Sequence, residues 1–313
     1  MADRSGPGIG GLLNVTFGNA PELIIALFAL GQGLHEVVKA SLIGSILGNT
    51  LLVLGAAMFV GGLKVDPSGR QRFNRTAASA QASMLLLAAA AMVMPAIFEL
   101  VRGPGLPSPG SERIDYGSTV EQLSLAVAIV LILSYVAGLV FSLRTHRDLF
   151  NPVQEHAEDP WTVRRSVVLL AIAGVLVGVM SELLVGSISD TAKDIGVSEF
   201  FIGAVVVAIV GNAAEHWVAV LVAAKDKMDL AVNIAVGSSA QIALFVAPLL
   251  VLLSFVIGPN PMALVFNGFE LGAILLAVLI ANQVTNEGES TWYEGLQLMA
   301  VYLVIVIAFG FAT

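Results

Sequence analysis

Gly18-Asn19-Ala20-Pro21-Glu22 returns later in the chain as Gly211-Asn212-Ala213-Ala214-Glu215. The register between the copies does not slip, because Gly44-Ser45 falls on Gly237-Ser238 at the same offset of 193 residues (211 − 18 and 237 − 44). Each copy lies in a stretch that is otherwise apolar enough to cross a membrane. A carboxylate inside a lipid-crossing helix is costly, so it marks a functional site by default. Two of them on a duplicated helical hairpin form the pattern of a secondary transporter whose site lies between two repeats.

Composition points the same way. Apolar residues make up 57% of the chain and charged residues 12%, and the mean hydropathy is +0.88. Soluble domains carry roughly 25% charge, so this chain lacks the polar surface to face water all round. The expected class is an all-α, multi-pass integral membrane protein. No basic n-region precedes an apolar h-region at Met1–Gly8, so no signal peptide is read. The chain has no Cys, which excludes disulfides and thiolate metal sites. A net charge of −8, much of it in loops, gives no reason to expect nucleic acid. No protein partner, oligomeric state or cofactor can be inferred.

A span needs about 20 apolar residues. Nine are read: 8–31, 37–62, 76–101, 118–143, 163–192, 198–224, 229–258, 261–284 and 291–312. Turn residues or charge separate them, as at Asp66-Pro67-Ser68-Gly69 and Gly258-Pro259-Asn260-Pro261. Residues 1–143 form a first repeat and 163–313 a second. Between them, 144–162 is an acidic linker carrying Glu155, Glu158 and Asp159. Its plain reading is a solvated connection; weak cation sensing is the sharper one.

Lys and Arg set the orientation. Arg4, Lys64, Arg70, Arg72, Arg75, Arg144, Arg147, Arg164, Arg165, Lys225 and Lys227 fall on one side, and Lys39, Arg102, Arg113 and Lys193 on the other. The richer side is expected to be cytoplasmic, with loops 63–75, 144–162, 225–228 and 285–290 on it and the plasma membrane as the location. The second motif has one span before it in its half and the first motif has none. The expectation is two inverted repeats of five helices, with the first helix of repeat one absent from this chain.

Asn19 and Glu22 share a helix face. Pro21 cannot donate to the carbonyl of Phe17, so the helix should open there and expose that oxygen to a protein-lined cavity. Ala214 replaces the proline in the second copy, so the two halves are expected to be unequal in geometry. Glu22 and Ser45 are equally distant from a turn at Gln32–Leu34, as are Glu215 and Ser238 from one at Asp226–Lys227, which puts each pair at one depth. Asn49 and Gln241 lie about one helical turn beyond the serines. The resulting ligands are all oxygens: Glu22, Glu215, Asn19, Asn212, Ser45, Ser238, Gln241 and the Phe17 carbonyl. Hard oxygen ligands suit Ca²⁺, Mg²⁺ or Mn²⁺. Two carboxylates neutralise one divalent ion, and they can equally hold protons, because burial and mutual repulsion favour the neutral form. Cation and proton then compete for one site.

A plainer reading gives Gly and Ala a role in close helix packing and Ser and Asn a role as interhelical glue. It suits one motif but not two copies that both carry Glu. Weaker candidates for the cavity or pathway are Asn49, Gln81, Glu182, Ser239 and His216. His216 is expected to be a hydrogen-bonding neighbour of Glu215, Glu99 an interfacial residue near a span end, and Glu270 weaker still.

With these residues in view, Gly10–Ile24 followed by Gly44-Ser45-Ile46-Leu47-Gly48-Asn49 resembles the first repeat of the calcium/proton exchanger (CAX) family, of the cation/calcium antiporter superfamily. Gly211–His216, Lys225–Leu230 and Gly237–Phe245 resemble its second repeat, as do Phe266-Asn267, Glu270-Leu271 and Asn282. The resemblance implies Ca²⁺ export driven by proton entry, with Glu22 and Glu215 as the shared carboxylates and Asn19, Asn212, Ser45, Ser238 and Gln241 around them. Sodium-coupled calcium exchange is the nearest alternative. A cation channel and a membrane hydrolase are further classes, and the hydrolase lacks a nucleophile motif. The chain is read as a transporter of Ca²⁺ and H⁺ in a lipid bilayer, not as an enzyme.

Overall fold

The computed structural model describes residues 18–64, 70–109, 113, 115–145 and 162–312. Phe17, the first part of the expected span 8–31 and most of the acidic linker lie outside the described residues. Apart from connecting loops, the described chain is helical with one small ribbon. The helices are α1 (Ala20–Gly31), α2 (His35–Lys64), α3 (Arg75–Met92), α4 (Met94–Arg102), α5 (Ser118–Val140), α6 (Val163–Ile195), α7 (Glu199–Gly211), α8 (Ala213–Ala223), α9 (Met228–Ser254), α10 (Gly268–Thr285) and α11 (Trp292–Phe311).

Among the described residues, seven helices are long and apolar enough to cross a membrane, or eight if α7 and α8, bent by 55°, count as one span. The chain is therefore a multi-pass membrane protein. The ninth expected span is represented only by the 12 residues of α1. Within the expected span 76–101, Pro95 interrupts the helix at Val93 and divides it into α3 and α4, which together form one span, Arg75–Arg102.

The two hairpins, α1–α2 and α8–α9, turn by the same device. Gly33 N–H donates to Leu30 O and Leu34 N–H to Ala29 O; 193 residues on, Asp226 donates to Ala223 O and Lys227 to Val222 O. The left-handed residue of the turn is Gly33 (φ 77°) in one copy and Asp226 (φ 59°) in the other. Asp is among the few residues with a side chain that tolerate that conformation. Helices α2 and α9 lie at the centre of the bundle, whereas α6 is exposed over nearly all of its apolar length.

The span expected at 261–284 becomes helical only at Gly268. Pro259 and Pro261 stop α9 from continuing, and Asn267 starts α10 with a capping box, its side chain accepting from Glu270 N–H while Glu270 accepts from Asn267 N–H. The intervening Met262–Phe266 is neither helix nor strand, yet buried. Unpaired backbone is costly there, and side chains supply the partners. Ser254 Oγ accepts from Met262 N–H at 2.7 Å, Ser124 Oγ accepts from Leu264 N–H at 3.0 Å, and Lys39 Nζ donates to Val265 O at 2.9 Å.

At one end of the bundle, β1 (Arg70–Arg72) pairs antiparallel with β2 (Glu289–Thr291), Arg70 opposite Thr291. Gln71 donates from Nε2 to Ala223 O and Asn74 N–H donates to Asp229. These bonds gather the loops carrying Arg70, Arg72, Arg75, Lys225 and Lys227 at one end.

Candidate functional site

Both motif-bearing segments break at their asparagine. Asn19 (φ −95°, ψ 21°) precedes α1, and Asn212 (φ −95°, ψ 5°) separates α7 from α8. The backbone angles at the two asparagines are nearly equal, so the break in the second copy needs no proline; Phe17, whose carbonyl Pro21 is expected to free, lies outside the described residues. Asn212 Nδ2 donates to Ala208 O at 2.8 Å, so its side chain competes with the helix ladder for that carbonyl.

The two breaks are then joined crosswise. Asn19 of the first motif meets the second hairpin: its Nδ2 donates to Gln241 Oε1 at 2.7 Å, and its Oδ1 lies 2.8 Å from Ser238 Oγ. Asn212 of the second motif meets the first hairpin. Its Nδ2 donates to Ser45 Oγ at 2.9 Å, and its Oδ1 lies 3.5 Å from Asn49 Nδ2. The carboxylates are exchanged in the same way. A Cβ on Gly18 would sit 3.5 Å from Glu215 Oε1, and one on Gly211 would sit 3.9 Å from Glu22 Cγ. Glu22 and Glu215 thus lie within each other's electrostatic reach. Both oxygens of Glu22 are buried without a hydrogen-bond partner.

Ser238 Oγ also lies 2.9 Å from Glu215 Oε2. The hydroxyl carries one proton and stands between two acceptors. The row is satisfied when Glu215 is protonated and donates to Ser238, Ser238 to Asn19, and Asn19 to Gln241. It is equally satisfied with Glu215 ionised and both amides turned over. The proton on Glu215 therefore sets the direction of the whole row. Among the described residues no three His, Cys, Asp or Glu side chains converge. A cation held here would be held by two carboxylates with amide and hydroxyl oxygens.

Of the weaker candidates, Asn49 belongs to the cross-pairing, and Gln81 donates to Asn233 nearby. The buried Nε2 of His216 lies toward Gly48 and has no hydrogen-bond partner among the described residues. Ser239 donates to Ala235 O of its own helix at 2.9 Å and is fully buried. Glu182 is exposed on α6 and takes no part in the network. Glu99 lies in the last turn of the span Arg75–Arg102, as expected, and is buried there because Arg113 folds over it at 2.7 Å. Glu270 serves the capping box of α10. Asn233 was not singled out in the sequence, since it has no counterpart in the first repeat, where Ala40 stands at its register.

The model of the sodium/calcium exchanger protein family matches residues 1–144 and 165–311. The chain is 45% identical to the Ca(2+)/H(+) antiporter ChaA of Bacillus subtilis (strain 168), over 97% of this chain and 84% of that protein. It is also 45% identical to the Ca(2+)/H(+) antiporter of Synechocystis, over 98% of this chain and 83% of that one. The solved structure of native YfkE superposes with a TM-score of 0.80 at 42% identity, covering 97% of this chain and 84% of that one. The sodium-calcium exchanger NCX_Mj, at 15% identity and a TM-score of 0.54, shares the fold. Matched repeat by repeat at these levels, the chain belongs to the sodium/calcium exchanger protein family and, within it, to the calcium/proton exchanger (CAX) family of the cation/calcium antiporter superfamily.

Proposed function

We propose that this protein exchanges Ca²⁺ for protons across the membrane by alternating access, with cation and protons competing for Glu22 and Glu215. The observation that carries the reading is the crosswise network, which gives two carboxylates a shared centre of oxygen ligands between two hairpins. Asn19, Asn212, Ser45, Ser238, Gln241 and the Phe17 carbonyl complete the ligand set. Oxygen ligands of this kind suit Ca²⁺ and tolerate Mn²⁺, and the relatives named above are Ca²⁺/H⁺ antiporters.

The repeats are 1–143 and 163–313, inverted about the carboxylate pair and joined by the linker 144–162. The reciprocal bonds Asn19–Ser238 and Asn212–Ser45, with the matched turns, support this. The end where the basic loops meet is cytoplasmic by the positive-inside rule. The direction is Ca²⁺ export from the cytosol, at the plasma membrane. Where pH is higher the carboxylates are ionised and load Ca²⁺; where it is lower, protons displace the ion.

Sodium-coupled exchange is the second reading, favoured by the shared fold of NCX_Mj. Uptake of radioactive Ca²⁺ into inverted vesicles, in Na⁺-free medium and with an imposed pH gradient, separates the two. Uptake that follows the pH gradient and collapses with a protonophore is expected. Uptake that requires Na⁺ and ignores the pH gradient would replace this reading with the second.

A further inference from the structure

The two central helices differ in one respect that the duplicated sequence does not account for. Helix α2 has one π-helical turn, Gly48–Val53, and α9 has its counterpart at Ile242–Val246. Helix α9 has a second, Asn233–Gly237, ending one residue before Ser238. The equivalent stretch of α2, residues 40–44, is regular α-helix. A π turn gives up the regular helical hydrogen-bond ladder and is found most often at functional sites.

The extra turn opens at Asn233, whose Oδ1 accepts from Gln81 Nε2 of α3. The amide pair lies over Gly237. A Cβ there would meet Asn233 Oδ1 at 3.1 Å and Gln81 Nε2 at 3.4 Å. At the same register of α2 stand Ala40 and Gly44, and Gly44 packs on Ala204 O of α7. The repeat counterpart of the α9–α3 crossing is α2 against α10, where Ile274 stands at the register of Gln81 and Ala40 at that of Asn233, so the amide pair has no counterpart in the other half. An interhelical hydrogen bond in a membrane is worth only about 0.6 kcal/mol on average, so stability alone is a weak reason for the pair.

We propose that Gln81 is a positioning residue for the cation: bonded to Asn233, it holds the extra π turn of α9 and so fixes Ser238 between Asn19 and Glu215. This rests on the exchange reading above. Supporting residues behind a metal site typically change affinity by about 10–100-fold when removed.

The test compares Gln81→Leu, Asn233→Leu and the double variant in proteoliposomes, with thermal unfolding in detergent and Ca²⁺ titration of the purified proteins alongside. Gln81→Leu is expected to raise the apparent KM for Ca²⁺ about tenfold while Vmax stays within about twofold. In the double variant both amides are gone, so no polar group is left unpaired and unfolding should return toward the wild-type temperature; the raised KM should remain. If Gln81→Leu fails to fold, Gln81→Asn, which keeps an amide on a shorter stem, is expected to raise KM without the loss of folding. A folded Gln81 variant with wild-type KM would overturn the inference, and so would a KM that recovers with stability in the double variant. Wild-type protein that exchanges no Ca²⁺ for protons would overturn the exchange reading itself, so the two failures are distinguishable.

Discussion

Glu22→Gln or Glu215→Gln is expected to bring ΔpH-driven Ca²⁺ exchange down to background while the protein still folds and inserts. Each change keeps the size and the hydrogen-bonding capacity of the side chain but removes one negative charge and one proton acceptor. A divalent ion facing one carboxylate is left with an uncompensated positive charge in a medium where charge is costly. Folding should survive, because Glu22 makes no hydrogen bond that Gln would lose, and a Gln at 215 can still pair with Ser238. Purified variants with the wild-type elution volume and thermal unfolding, assayed in proteoliposomes, provide the check. Near-normal flux in either variant would remove that residue from the site.

Gly44→Ala should damage the protein much more than Gly237→Ala, although the two glycines hold the same place in the repeats. A Cβ on Gly44 would lie 2.0 Å from Ala204 O and 2.8 Å from Ala208 Cβ. Neither can rotate away, so α2 and α7 must separate. Overpacking typically costs about 1–3 kcal/mol, and contact with rigid backbone puts this case at the upper end or beyond. The separation would also pull Ser45 from Asn212, which donates to it across that crossing. At Gly237 the nearest atoms are the ends of two side-chain amides at 3.1 and 3.4 Å, which can shift by a few tenths of an ångström. Thermal unfolding and exchange of the two variants should diverge, with Gly44→Ala close to inactive and Gly237→Ala only weakened. Equal effects would mean that the crossing at Gly44 is not as tight as described.

Much of this was legible in the sequence because the duplication carries it. The offset that aligns Glu22 with Glu215 also aligns Gly33 with Asp226 and Ser45 with Ser238, and the hairpin turns follow it bond by bond. Equal distances from those turns were enough to put the carboxylates and serines at one depth. What failed did so for identifiable reasons. Pro21 suggested that the first helix opens more surely than the second, but the second bends by 55° at Asn212 without a proline, the Asn212 side chain bonding to Ala208 O. Hydropathy read 261–284 as one span, since Met262–Phe266 is apolar. It does not register that Ser254, a few residues earlier, and Ser124 and Lys39, far away in sequence, satisfy a non-helical backbone there. The burial of Glu99 was not legible because Arg113, its partner, lies across a loop. The extra π turn at Asn233 was not legible, because Asn233 is the single polar residue between Asp229 and Ser238 and one residue sets no period.

The claim at the centre of this account is that Ca²⁺ and protons occupy the same two carboxylates. Calorimetric titration of the purified protein with Ca²⁺, repeated in buffers of different ionisation enthalpy, counts the protons released as the ion binds. If the site is shared, the observed heat varies linearly with buffer enthalpy, protons leave as Ca²⁺ enters, and apparent affinity falls as pH is lowered. Specific Ca²⁺ binding with no proton release at any pH near neutrality would contradict a shared site.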